Sequence, residues 1–171
     1  MAVVSFEGLD ACTFFAVLCL VSSLITNDHS FVDRLWSITP AVYSLQSAYL
    51  SGLQARPALM AFLATLWAVR LTYNFYRKGG YTVGKGEDYR WVYLKSRYKN
   101  IFVNDSVWFV FNVVFICGYQ HFLLWLLSRP ACLASQGDEE LNAMDAVACS
   151  CFVFFSRRRK RGGQSAMGFP A

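Results

Sequence analysis

Long apolar runs separated by short polar connections dominate this chain, and their positions predict its helices. A membrane-spanning helix requires about 20 predominantly apolar residues. The clearest candidate is 106–128, which contains no Asp, Glu, Lys or Arg. Four further runs are predicted spans: 58–76, 11–26, 37–54 and 141–156. The pattern therefore predicts an all-α integral membrane fold with about five transmembrane helices.

Two of the predicted spans leave alternatives open. The run at 37–54 has Pro40 near its start and Gln46 in its middle, so a half-buried or interfacial helix is the alternative to a span. The run at 11–26 follows an acidic segment, whereas a signal peptide begins with a basic one. We therefore expect a retained first helix rather than a cleaved signal.

The composition favours a membrane protein over a soluble domain. Of the 171 residues, 56% are hydrophobic and 16% are charged, and the mean hydropathy is +0.33. An average soluble domain carries about 25% charged residues. We expect one helical membrane domain, residues 1–156, followed by a basic and flexible tail, residues 157–171.

Basic residues concentrate in two places, and this predicts the orientation of the helices. Seven of the sixteen Lys and Arg residues lie between Arg77 and Lys99, and five are consecutive at 157–161. Nucleic-acid-binding proteins also show basic clusters, but here each cluster directly follows an apolar run, as on the cytoplasmic side of membrane helices. We therefore expect a cytoplasmic 77–105 loop and tail, a lumenal N-terminus and no nucleic-acid partner.

The six cysteines and two histidines do not predict a metal site. The sequence has no Cys-x-x-Cys pair, and neither His29 nor His121 has a partner at metal-ligand spacing. We therefore expect buried, unreactive thiols and no metal.

The most informative polar residues lie between 58 and 91. Arg70 and Asn74 share one helix face because they are four residues apart, and Arg77 and Lys78 follow within one turn. Such a row can bind a phosphate or carboxylate, since Arg offers a planar, two-pronged donor. The alternative is that Arg77 and Lys78 extend to the lipid headgroups while Arg70 pairs with an acid elsewhere.

A glycine-rich loop follows this helix and ends in the motif GEDYRW at 86–91. Glycine lets backbone N–H groups approach an anion, but the spacing fits neither a Walker loop nor the GxGxxG fingerprint, so a plain flexible loop is the simpler interpretation. The motif's aromatic residues, including Trp91, are typical of a membrane interface. Its charged residues are candidates for fixing nearby cations or binding a ribose hydroxyl: Glu87, Asp88 and Arg90.

Two residues are candidates for a proton donor. His121 lies beside Gln120 inside the 106–128 span, where a polar pair more often hydrogen-bonds between helices. Tyr73 has the chemistry of an acid, but a tyrosine in a helix more often packs. The residues alone assign no catalytic group beyond these two candidates.

Four segments occur in the order found in a known group of membrane proteins. They are VDRLWSITP at 32–40, LMAFLATLWAVRLTYNFYRKGGY at 59–81, GEDYRW at 86–91 and YQHFLLWLLSRP at 119–130. Together they resemble the steroid 5-alpha-reductase-like superfamily, and within it a large, poorly characterised branch.

The resemblance implies a multi-helix membrane protein, in eukaryotes often of the endoplasmic reticulum. Characterised relatives use NADPH to reduce a carbon–carbon double bond, so the implied partners are membrane lipids and a hydrophobic lipid or steroid substrate. By motif position the cofactor-facing helix carries Arg70, Asn74, Arg77 and Lys78. Related methyltransferases of similar architecture act on prenylated cysteine, so a lipid methyltransferase stays an alternative.

The chain departs from the superfamily after the fifth predicted span. Relatives continue with further helices that carry much of the cofactor site, whereas this chain has SRRRKRGGQSAMGFPA. We therefore expect a C-terminally truncated member, in which NADPH binding by the chain alone is an open question. A third alternative is a non-catalytic membrane protein that pairs with a full-length relative.

Overall fold

The computed structural model describes residues 8–82, 89–99, 101, 104–137 and 140–162, and all regular structure within these ranges is helical. The helices are α1 (Leu9–Thr26), α2 (Phe31–Leu35), α3 (Thr39–Leu50), α4 (Ala55–Arg77), α5 (Tyr89–Arg97), α6 (Asp105–Phe111), a π-helical segment (Asn112–Tyr119), α7 (Gln120–Ala134) and α8 (Ala143–Gly162). The chain divides into two compact units, Met1–Gly137 and Asp138–Ala171.

Three helices in the described ranges are long and apolar enough to cross a membrane: Leu9–Thr26, Ala55–Arg77 and Asp105–Ala134. The third is continuous and comprises α6, the π-helical segment and α7. Over their most apolar stretches the mean hydropathies are 2.0, 1.2 and 1.7. The described helices confirm the predicted all-helical fold, and the three long ones support a membrane protein and coincide with its three clearest runs. The predicted number of five spans is not confirmed.

The run at 37–54 forms a helix that is too short to span. With 12 residues, α3 rises about 18 Å, against a hydrocarbon core of about 30 Å. It ends because Gly52 and Leu53 both adopt left-handed backbone angles, with φ of 68° and 61°, which a continuing helix cannot accommodate. Pro40 lies in its first turn, where a missing N–H costs little.

Small side chains let α3 pack closely inside the first unit. The helix lies against α4 and α7, and its buried face includes Ala41, Ser44, Ser47 and Ala48. Small residues allow helix backbones to approach each other where lipid provides no hydrophobic driving force. The half-buried helix that the sequence left as an alternative therefore describes α3 better than a span.

The second unit contains the last apolar run. Its apolar part, Ala143–Ser156, has a length of only 14 residues, which rises about 21 Å, so the predicted fifth span is also short. The helix continues to Gly162, beyond the start of the predicted flexible tail at 157. The remainder of that tail, 163–171, lies outside the described residues.

A chain of polar contacts joins α1 to the π-helical segment in the interior of the first unit. Asn112 is almost fully buried and its Nδ2 donates to Ser23 Oγ at 2.9 Å. The Cys117 Sγ lies 3.5 Å from both Asn112 Oδ1 and Cys19 Sγ. Such polar groups inside a span are stable because each finds a partner on the facing helix. A π-helical turn shifts the helical register and frequently marks a functional region.

The substitution Ser23→Ala tests this interhelical contact. It removes the acceptor of the Asn112 amide and should lower the free energy of unfolding by about 1 kcal/mol, seen as a lower Tm in detergent. Ser22→Ala is the matched control because Ser22 is the neighbouring position and its side chain makes no interhelical hydrogen bond with a described residue. Equal Tm values for the two variants would contradict the contact.

Candidate functional site

A buried arginine organises the end of the first unit at which α1 and α4 terminate. Arg34 lies on the short helix α2 and is only 8% exposed. Its Nη2 donates to Asp28 Oδ2 at 2.7 Å, and its Nε donates to the Gly80 carbonyl at 3.2 Å. The guanidinium carbon also lies 4.5 Å from the centre of the Phe31 ring. A buried charge requires such pairing to be stable.

The segment that follows α4 is fixed by contacts with Arg34. The Tyr81 hydroxyl donates to the Arg34 carbonyl at 3.0 Å, and the Tyr81 ring meets Phe75 edge to face at 5.2 Å. Gly79 has a φ of 76°, which glycine adopts without strain, and a Cβ at Gly80 would overlap the Phe75 ring. Gly79 and Gly80 therefore allow the segment after α4 to pack against Phe75 and Arg34. The interpretation as a plain flexible loop is wrong for these two glycines.

We call Asp28, Arg34, Gly80 and Tyr81 the Arg34 cluster. Beside it, Arg90 Nη2 lies 3.0 Å from Asp33 Oδ1 and joins α5 to α2. Asp33 and Arg34 are sequence neighbours whose side chains point to different partners, as expected for adjacent helical positions.

Trp91 belongs to the core rather than to an interface. It is 7% exposed and packs in one cluster with Val32, Cys19 and Ile116. The interface interpretation of this residue is therefore wrong. Its indole packs α5 against α1, α2 and the π-helical segment, and this packing positions Arg90 beside Asp33.

The four predicted cofactor ligands at the C-terminal end of α4, which we call the α4 stripe, lie on a face of the helix away from its contact with α3. The stripe consists of Arg70, Asn74, Arg77 and Lys78. Arg70 is half-buried, and the other three are exposed. The packed face of α4 carries Ala61 and Ala68, and Thr72 on that side shares a 2.7 Å hydrogen bond with Ser37. The stripe therefore lies on the opposite face, with Arg77 near the Arg34 cluster along the chain.

Some of the remaining predicted site residues lie in the described part of the chain, and others do not. Glu87 and Asp88 lie outside the described residues. Tyr73 is exposed on α4, and its ring lies 5.9 Å from the Arg77 guanidinium carbon. Within the described residues, no group of three or more His, Cys, Asp or Glu side chains has metal-binding geometry.

His121 is completely buried in α7 and has a defined tautomer. Its Nδ1 lies 2.8 Å from the Cys117 carbonyl, so Nδ1 carries the proton in the neutral ring. Nε2 is then an acceptor, and it has no hydrogen-bond partner among the described residues. In this form His121 accepts a hydrogen bond and does not donate from Nε2. Among the described residues, no hydrogen bond or ring contact joins His121 to Tyr73.

Sequence reasoning missed Asp28, Arg34 and Tyr81 as parts of one site. The available signal was the segment VDRLW, which places an acid and a base in a short polar connection between apolar runs. Nothing local in the sequence pairs Arg34 with Gly80, because the two residues are 46 positions apart.

The sequence profile of DUF1295, a family described as proteins of unknown function, matches residues 19–157. The chain belongs to the DUF1295 family. An uncharacterized protein of Schizosaccharomyces pombe is 39% identical over 139 residues, which cover 77% of this chain and 38% of that relative. The chain thus spans well under two thirds of the length of the curated relative it matches. No solved structure matches it.

The Asp28 carboxylate lies outside the membrane-spanning helices and is held in its charged form. Burial alone raises its pKa, but hydrogen bonds from Ser30, including the backbone N–H at 2.9 Å, and the charge of Arg34 lower the pKa below its ordinary value overall. The region that matches the DUF1295 family therefore contains an ion pair whose strength depends on pH.

The pH dependence of stability tests this ion pair. The folded carboxyl has a lower pKa than the unfolded one, so its contribution is complete above about 3.9 and is lost as the pH falls through the folded value. In detergent, the wild-type Tm should fall more steeply between about pH 5 and about pH 3 than that of Asp28→Asn. Asp10→Asn, an exposed carboxylate at the start of α1, is the control. Identical slopes for Asp28→Asn and wild type would contradict the pairing.

Proposed function

We propose that this chain is a membrane-embedded part of a steroid 5-alpha-reductase-like protein whose full-length relatives reduce a carbon–carbon double bond of a steroid or other lipid with NADPH. The main observation behind the proposal is that three of the four segments that resemble the superfamily contact one another. Arg34 of VDRLWSITP contacts Gly80 at the end of the second segment, and Arg90 of GEDYRW contacts Asp33. Membership of the DUF1295 family is consistent with it.

The charges at this end of the bundle fit an anionic cofactor. Among the described residues, Arg34 and Arg90 pair with Asp28 and Asp33, and the other positive charges next to the cluster are those of exposed Arg77 and Lys78. In addition, Arg34 Nη1 is buried and has no hydrogen-bond partner among the described residues. Phosphate groups bind such combinations of guanidinium and ammonium donors.

In this proposal NADPH supplies the hydride when bound. Arg77 and Lys78 bind its phosphates, and the Arg34 cluster holds the backbone of Gly79 and Gly80 in place beside them. His121 accepts a hydrogen bond at Nε2 from a polar group of the lipid and so orients it in the apolar interior. Tyr73, on the same helix as Arg77, is the proposed proton donor.

The proposed orientation follows from the basic residues, and the proposed location follows from the resemblance. The basic 77–105 loop lies in the cytoplasm, where positively charged flanks of membrane helices are retained, and the resemblance implies the endoplasmic reticulum. The lipid substrate reaches the site from the bilayer through the apolar surfaces of the spans.

Cofactor titration tests the proposal. NADPH fluorescence should change saturably on addition of the detergent-purified chain, and the double substitution Arg77→Ala/Lys78→Ala should weaken binding about tenfold or more, since it removes charge-assisted contacts. Arg97→Ala, an exposed arginine on α5 outside the site, is the matched control and should bind as wild type.

Two results would contradict the proposal. One is the absence of NADPH binding both by this chain and by a chain extended with the additional segment of a full-length relative. The other is saturable binding of S-adenosylmethionine in place of NADPH, which identifies the methyltransferase alternative. Binding only by the extended chain would assign the cofactor site to the full-length protein.

A further inference from the structure

A cavity of about 530 Å³ with both polar and apolar walls lies between α1, α5 and the start of the helix at Asp105. Its volume falls in the range of small-ligand sites, roughly 300 to 1,000 Å³. The residues that line it belong neither to the α4 stripe nor to the Arg34 cluster. It therefore represents a site that the proposed reductase function does not use.

The cavity lies at the level of a bilayer's headgroups. Its α1 wall is formed by Ser23, Leu24 and Asn27 at the end of that span, and its opposite wall begins at Asp105. The 18 residues of α1 rise about 27 Å, close to the hydrocarbon thickness of about 30 Å. The end of α1 therefore coincides with the boundary between acyl chains and headgroups, whichever way the protein is oriented.

The described residues that line the cavity include one lysine and one aspartate. Lys95 is its cation, and its Nζ lies 4.2 Å from the centre of the Trp108 ring. Asp105 is its anion, an exposed carboxylate that forms no hydrogen bond or ion pair with a described residue. His29 also lines the cavity, and its Nε2 accepts a hydrogen bond from Trp108 Nε1 at 2.9 Å.

We propose that this cavity binds the zwitterionic phosphoethanolamine headgroup of a membrane phospholipid. Lys95 binds the phosphate, and Asp105 accepts hydrogen bonds from the primary ammonium. The Asn27 amide supplies a further polar contact at the mouth. A headgroup with one charge of each sign matches the lining, whereas a purely anionic headgroup would face the Asp105 carboxylate.

The surroundings of Trp108 favour ethanolamine over choline. A quaternary ammonium is recognised by open aromatic faces, but the Trp108 ring is already covered by Lys95 and approached by His29 and Phe111 at centroid distances of 5.1 and 5.5 Å. A primary ammonium instead requires hydrogen-bond acceptors. Asp105 provides one of them.

The apolar part of the lining points to a lipid rather than to a free phosphoethanolamine. Leu24 and Phe109 border the cavity, and their side chains are 51% and 46% exposed. Both lie on membrane-spanning helices, so their exposed surfaces face acyl chains. A lipid whose headgroup occupies the cavity extends its chains along them, which adds a hydrophobic contribution that the soluble headgroup lacks.

Native mass spectrometry of the full chain, purified in detergent, tests the proposal. After equilibration with equal amounts of dioleoyl-phosphatidylethanolamine, -phosphatidylcholine and -phosphatidylglycerol, the chain should retain one phosphatidylethanolamine in preference to the others. Asp105→Asn should reduce its retention about tenfold relative to phosphatidylglycerol, because the ammonium loses a charged acceptor. Lys95→Gln should reduce retention of both lipids.

Asp10→Asn and Lys99→Gln are the matched controls, since they remove exposed charges outside the cavity. Both should retain lipid as wild type, and unchanged circular dichroism should confirm that every variant is folded. Equal retention of the three lipids, or retention unaffected by both cavity substitutions, would overturn the proposal. Soluble O-phosphorylethanolamine should fail to displace the lipid, and displacement at equal concentration would overturn the lipid as the source of the headgroup.

Discussion

A guanidinium removed from water at the end of a membrane bundle constrains the rest of the first unit. The side chain of Arg34 is 10% exposed and that of its partner Asp28 is 14% exposed, so neither charge is compensated by solvent. Such a charge is stable only where fixed acceptors surround it. The Gly80 carbonyl supplies one acceptor and Asp28 another. The turn after α1 and the connection after α4 must therefore meet at α2.

That meeting determines which residues can act together. It brings the C-terminal end of α4, with exposed Arg77 and Lys78, next to the helix that carries Asp33 and its partner Arg90. The α4 stripe remains on the outer face, while the opposite face of the helix packs through small residues against α3. Among the described residues, the arrangement separates buried, paired charges from the exposed cations Arg77 and Lys78.

The spans were predictable because length and hydropathy determine them, and the continuous helix at Asp105–Ala134 includes the clearest apolar run. The failure of 37–54 as a span has a local cause that hydropathy does not register. Positive φ angles at Gly52 and Leu53 end α3 after 12 residues. Small buried residues then favour helix packing over contact with lipid.

The candidate site was predictable only in part. Spacing correctly placed Arg70 and Asn74 on one face of a helix, but it did not indicate that the opposite face packs against α3. The partners of Arg34 were not predictable, since its contact with Gly80 spans 46 residues and depends on tertiary packing. Trp91 shows the same limit: an aromatic residue beside charged ones suits an interface and a core equally, and packing against Val32 decides between them.

A double-mutant cycle on Arg34 and Asp28 tests the central claim most directly. Unfolding of the detergent-purified chain should show that Arg34→Met costs about 3 kcal/mol, because it leaves a buried carboxylate without its cation. Combined with Asp28→Asn, it should cost less than the sum of the single effects, with a coupling of about 1 kcal/mol or more. The account would be contradicted if Arg34→Met lowered the free energy of unfolding no more than Arg97→Met does, and if the effects of Arg34→Met and Asp28→Asn were additive.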